Sequence, residues 1–120
     1  MLSALDLYRD LCVDLPSEDL ARLRSEVRVY YQSILDAQQT NELIAIDLAE
    51  ALCVRLEGLL AMAHLVDGDA RSAIVGAARY FISSDDEAPD TASCTGLDDD
   101  VAVFNHVVRL IGRQDLMISD

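Results

Sequence analysis

Apolar residues recur along this chain at helical spacing, with few interruptions. The clearest run is Leu20, Leu23, Val27, Tyr30 and Ile34, whose spacings of three and four residues place all five on one stripe of a helix. Ser17 precedes that run as a good N-cap, and Glu18 and Asp19 follow in the first turn, where the helix dipole favours acid. Arg24 and Arg28 lie one turn apart on another face. A shorter helix is expected ahead of it, over residues 4–13, with Ser3 as its cap and Pro16 closing the unit.

After a polar stretch at residues 36–41, Thr40 is placed to cap a third helix over residues 41–65. Its apolar residues Leu43, Ile44, Ile46, Leu48, Leu52, Leu56, Leu59 and Leu60 cover most of its circumference. Such a helix is either central in its bundle or meets another subunit, and the central place is expected here. Asp67, Gly68 and Asp69 stop it. Gly68 suits a left-handed C-terminal position, and either aspartate suits the cap of a fourth helix over residues 70–82. Ala73, Gly76, Ala77 and Ala78 make that helix thin enough for a neighbour to approach closely. Residues 83–97 read as irregular. A last helix begins near Asp98 and carries Val101, Val103, Phe104, Val107, Val108, Leu110 and Ile111. Gly112 weakens its end, and the chain beyond it to Asp120 is expected to fray.

This pattern predicts an all-α fold: a single domain over residues 1–120, built as a bundle of about five helices with an acidic loop before the last. Five glycines and two prolines leave little punctuation for short strands. A chain of 120 residues that is 52% hydrophobic can bury a core without disulfides or metals, and with no tryptophan that core is mainly aliphatic.

Charge narrows the function. The net charge is −13, and all nine basic residues are arginine. Without lysine there is no Schiff-base chemistry and no P-loop. So acidic a field repels nucleic acid and anionic lipid and favours cations and basic partners. No run approaches the ~20 apolar residues of a membrane span, and the opening MLSALDLYRD is not a signal peptide. Cys12, Cys53 and Cys94 are too scattered for a disulfide framework or a zinc knuckle. The expected compartment is therefore the cytoplasm. Cys12 and Cys53 read as small core residues, and His64 and His106 as packed or partly exposed side chains. Cys94 stands among acids, the opposite of the setting that activates a thiol.

The sharpest chemical feature is a run of acid. Asp85, Asp86, Glu87, Asp90, Asp98, Asp99 and Asp100 fall within sixteen residues, with no basic residue between Arg79 and Arg109. Like charges so close need an offset. In one reading Asp98 caps the last helix, Asp99 and Asp100 face its positive end, and Asp86 and Asp90 bond loop amides. In the other, Asp86, Asp90, Asp99 and Asp100 hold magnesium or calcium, which prefer hard oxygen ligands. Their spacing is not that of an EF-hand.

The run from Tyr80 through Asp86, Pro89 and Asp90 to Gly96, Asp99 and Asp100 resembles the YkvA-like family of small bacterial proteins. The six residues from Asp86 onward match the family pattern in order and spacing, within a helix-loop-helix at residues 70–112. Ser84 stands where the family has proline. Glu87, Thr91, Ser93 and Thr95 stand where it has large apolar residues. The resemblance implies an all-helical fold, a functional or structural role for the aspartates, and a loop shaped by Tyr80, Pro89, Gly96 and Asp98. It implies no reaction. The expected function is a non-catalytic interaction or regulatory module of the bacterial cytoplasm, without a cofactor, associating with itself through the third helix or with another protein. The alternative is a divalent-metal-dependent enzyme acting on a phosphorylated small molecule through Asp86, Asp90, Asp99 and Asp100.

Overall fold

The structure, a computed structural model, describes residues 4–38, 46–83 and 95–118. Among them are five α-helices and no strand: α1 (Ala4–Leu11), α2 (Ser17–Gln38), α3 (Ile46–Met62), α4 (Gly68–Ser83) and α5 (Thr95–Leu110). Short 3₁₀ turns follow α3 at Ala63–Leu65 and α5 at Gln114–Leu116. The expected all-α bundle is what the chain forms. Leu20, Leu23, Val27, Tyr30 and Ile34 are all buried, as their stripe predicts. No helix among the described residues is long and apolar enough to cross a membrane.

The middle of the bundle belongs to α4 and not, as expected, to α3. Residues Ala73, Ile74, Val75, Gly76, Ala77 and Ala78 are consecutively buried, and α4 touches α1, α2, α3 and α5. Consecutive burial takes in every face of a helix, and small side chains let neighbours close in from each. α3 is one-sided instead: Leu52, Leu56, Leu59 and Leu60 point inward, while Asp47, Glu50, Val54, Gly58 and Ala61 are exposed. Gly76 marks the closest crossing. A Cβ there would stand 2.5 Å from Cys12 Sγ and 2.8 Å from a ring carbon of Tyr8, so α1 lies directly on α4. Tyr8 meets the edge of His106 from α5, with ring centroids 5.8 Å apart, and Tyr30 of α2 meets Phe81 of α4 the same way at 4.9 Å.

The helix ends follow capping chemistry, with three departures from expectation. At α2 the Pro16 carbonyl accepts from the amides of Asp19 and Leu20, both at 3.0 Å. Pro16 thus takes the cap place and Ser17 is the first helical residue. At α4 Asp67 is the cap, its Oδ1 accepting from the Ala70 amide at 2.8 Å. Gly68 therefore opens α4, and among the described glycines only Gly112 has a positive φ. At α5 the helix starts at Thr95, so Gly96 and Asp98 lie in its first turn rather than in a loop or at its cap.

As far as Ile118 the chain after α5 is held to the bundle and not frayed as expected, while residues 119–120 lie outside the described residues. Gly112, at φ +79°, closes the helix with a Schellman motif: the Arg113 amide donates to Val108 O at 2.6 Å and the Gly112 amide to Arg109 O at 3.3 Å. The chain then folds back across α3 and α5. Arg55 Nε donates to Leu116 O at 3.0 Å. Asn105 donates through Nδ2 to Ile118 O at 3.0 Å and accepts at Oδ1 from the Ile118 amide at 2.8 Å. Ile118 is buried.

Candidate functional site

The acidic residues singled out by the sequence divide between the described chain and the rest. Asp86, Pro89 and Asp90 lie outside the described residues. Tyr80 is buried on α4, next to Phe81. Asp99 and Asp100 follow one another on α5, about 100° apart around the helix. Asp99 is exposed, whereas Asp100 is only 3% exposed. The two carboxylates that the cation reading joins thus leave the helix on different sides, one toward solvent and one into the bundle. Among the described residues no three of His, Cys, Asp and Glu gather as metal ligands would.

The described surface has a concavity elsewhere, where the linker between α1 and α2 meets the turn between α3 and α4. Arg71 builds it. From the first turns of α4 its Nε and Nη2 reach Asp14 Oδ1 and Oδ2 at 2.5 and 3.1 Å. Its Nη1 donates to Val66 O at 2.9 Å and to Ala63 O at 3.5 Å. One guanidinium therefore ties three segments together, using the planar fork that suits carboxylates. The Arg71 hydrogen bonds hold the Asp14 carboxyl below its ordinary range. Gly68 leaves room for this pair, since a Cβ there would sit 3.0 Å from Asp14 Oδ2.

Beside the brace is an open cleft of about 520 Å³, lined by Asp14, Leu15, Pro16, Ser17, Leu20, His64 and Arg71. A smaller hollow of about 110 Å³ shares Ser17, Leu20 and His64 and extends along α2 and α3 to Arg24 and Leu60. His64 is exposed, as the sequence allowed. Serine, histidine and aspartate line one cleft, the residue types of a hydrolytic triad. Asp14, however, gives both carboxylate oxygens to Arg71, whereas the aspartate of a triad must hold the imidazole in its tautomer. Exposed apolar residues border the cleft in the chain: Val13, 41% exposed, precedes Asp14, and Leu65, 74% exposed, follows His64.

A second polar network lies between α2 and α3. Arg28 Nε and Nη2 bind Glu57 Oε1 and Oε2 at 2.7 and 3.0 Å, and the guanidinium lies 5.8 Å from the Tyr31 ring centre. Cys53 Sγ donates to Glu57 Oε1 at 3.4 Å. Burial, with the Glu57 carboxylate beside it, pushes the Cys53 thiol up to about 12. It stays protonated at neutral pH and is a packed, inert thiol.

Sequence reasoning passed over the cleft because its pieces lie far apart. Arg71 and Asp14 are separated by 57 residues, and nothing local pairs them. The Asp67 cap and Pro16 were local signals that both of its borders are turns. No family model matches the chain, and neither a curated protein nor a solved structure is significantly similar to it.

Proposed function

We propose that the chain is a non-catalytic interaction module of the bacterial cytoplasm that binds another protein at the cleft beside Arg71. The observation that carries the reading is the cleft itself: concave, braced by Arg71, and lined by residues whose neighbours in the chain, Val13 and Leu65, are exposed apolar side chains. Apolar side chains gathered on an exposed surface mark contact sites. Net charge −13 favours a basic partner. The resemblance of residues 80–100 to the YkvA-like family belongs to the same proposal, because that family brings no reaction with it. Self-association belongs to it too. Leu52, Leu56, Leu59 and Leu60 of α3 face into the bundle, Val54 of the same helix is exposed, and Leu43 and Ile44 lie outside the described residues.

Affinity capture from the source cytoplasm tests the reading, with wild type beside Leu65→Asp and, as a control for surface charge, Val29→Asp on the exposed side of α2. A protein retained by wild type and Val29→Asp but lost by Leu65→Asp is the expected result, with circular dichroism unchanged in both variants. Retention that ignores Leu65→Asp would sink it.

The second reading, a divalent-metal-dependent enzyme acting on a phosphorylated small molecule, rests on the acidic run from Asp85 to Asp100. A bound cation would stabilise the fold in proportion to its saturation, which separates the two readings by measurement.

A further inference from the structure

The smaller hollow between α2 and α3 differs from the rest of the chain in the sign of its charge. Ser17, Ala21 and Arg24, spaced by four and three residues, share one face of α2. Ala61 of α3 and His64 of the turn after it meet them from the other side. Leu20 and Leu60, both buried, also line the space. Ala21 and Ala61 offer only a methyl each, so about 110 Å³ is left between the helices. Arg24, His64 and Ser17 stand exposed around it.

No acid lines that space, although the chain carries a net charge of −13. Asp19 and Glu57, on the same two helices, are matched by Arg22 and Arg28. Glu18 leaves α2 about 100° away from Ser17. Five of the arginines pair with a carboxylate, and Arg55 and Arg79 donate to backbone carbonyls. Arg24 and Arg109 have no such partner among the described residues, and neither the Ser17 hydroxyl nor the His64 ring has one. Arg109 is exposed at the end of α5, an ordinary solvated charge. Arg24 instead shares one hollow with two more donors: a guanidinium fork, an imidazole N–H present in either charge state, and a hydroxyl.

We propose that this hollow binds a compact oxyanion, the carboxylate or phosphate group of a ligand, with Arg24 as the anchor and His64 and Ser17 as further donors. An apolar group placed there would desolvate three donors without bonding them, and a cation would meet Arg24. The larger cleft shares Ser17, Leu20 and His64 with the hollow, so the remainder of the ligand has an adjoining place. The acidic chain repels an anion at long range, but salt screens charge beyond ~8 Å, and inside the hollow the nearest groups decide. The proposal goes beyond the protein-contact reading and stands without it, since one turns on Arg24 and the other on Leu65.

The test titrates wild type at constant pH with sodium phosphate, sodium acetate and, at matched ionic strength, sodium chloride, followed by proton–nitrogen NMR. Phosphate or acetate should move the Arg24 Nε–H and the Ala21 and Ala61 amides to saturation, with a Kd on the order of mM. Chloride should not. Arg24→Gln should weaken binding about tenfold, as the loss of one charge-assisted hydrogen bond implies, and Arg109→Gln should leave it unchanged. Tighter binding of phosphate assigns the hollow to a phosphate ester, and tighter binding of acetate to a carboxylate such as an acidic side chain of a partner. Shifts that rise without saturating, that chloride reproduces, or that are as large at Arg109 as at Arg24 overturn the proposal. So does a Kd that Arg24→Gln leaves unchanged. Should circular dichroism show that a variant has unfolded, the wild-type titration decides by the same criteria.

Discussion

Arg71 and Asn105 each fasten a loop to the bundle by gripping its backbone, and they do so with different chemistry. Arg71 carries charge. It holds Val66 and Ala63 through their carbonyls and the α1–α2 linker through Asp14. Asn105 is neutral and matches one donor and one acceptor to the two backbone groups of Ile118. The charged clamp closes the rim of the cleft, where solvent competes with it. The neutral clamp lies where the chain packs down and Ile118 is buried. A charged clamp titrates and is screened by salt, and an amide clamp does neither. The two loops should therefore differ in what releases them, even though both are fastened by one side chain.

Removing the amide breaks that comparison most strongly. Asn105→Ala leaves both backbone groups of Ile118 without their partner in a partly buried place, which costs about 2 kcal/mol. In a domain near this size that lowers the melting temperature by roughly 8 °C. A loss of less than about 0.5 kcal/mol would show that water replaces the amide without penalty. Gly112→Ala attacks the same loop at its hinge. An alanine forced to φ near +79° costs about 1 kcal/mol, and a melt followed by circular dichroism should show half the previous shift.

Arg71→Met removes the charged clamp while keeping most of its bulk, and its effect should be smaller and dependent on pH. The sign follows from Asp14, whose folded pKa is depressed by Arg71. A depressed carboxyl contributes stability above its unfolded pKa and loses it as pH falls through the folded value. Wild type should therefore lose more melting temperature than Arg71→Met between pH 5 and pH 2, whereas Asn105→Ala keeps the wild-type acid slope. Identical acid slopes in all three proteins would dissolve the distinction between the clamps. Salt should give the smallest effect. Adding 0.5 M sodium chloride should narrow the gap between wild type and Arg71→Met and leave the Asn105→Ala loss unchanged.

What the sequence made legible here is what depends on neighbours along the chain. The α2 stripe and the Asp67 cap are set within a few residues, and both are where the pattern places them. The rank of the helices in the bundle is less legible, because an apolar circumference, as expected of α3, does not by itself make a helix central. Closeness of packing decides it, and Ala73, Gly76, Ala77 and Ala78 give α4 neighbours on every side. The start of α5 was placed at Asp98 by its capping tendency. Thr95 and Gly96 belong to the helix, since one glycine weakens a helix by about 1 kcal/mol without ending it. The clamps were illegible for a different reason. Arg71 meets Asp14 across 57 residues and Asn105 meets Ile118 across 13, and only the crossing of the helices brings either pair together. Of the expected cation ligands, Asp99 and Asp100 diverge on α5, as adjacent positions on any helix must.

Thermal melts in divalent and monovalent salt test most directly the claim that this chain works by contact and not by metal-dependent catalysis. Wild type and Asp99→Asn are melted in millimolar magnesium, calcium or manganese and in sodium chloride of matched ionic strength. The account predicts equal shifts in both salts for both proteins, because only the acidic surface is being screened. A cation site filled at a hundredfold excess over its Kd would instead raise the melting temperature by roughly 10 °C. A shift of that size in divalent salt alone, abolished by Asp99→Asn, would contradict the account and put the enzyme reading first.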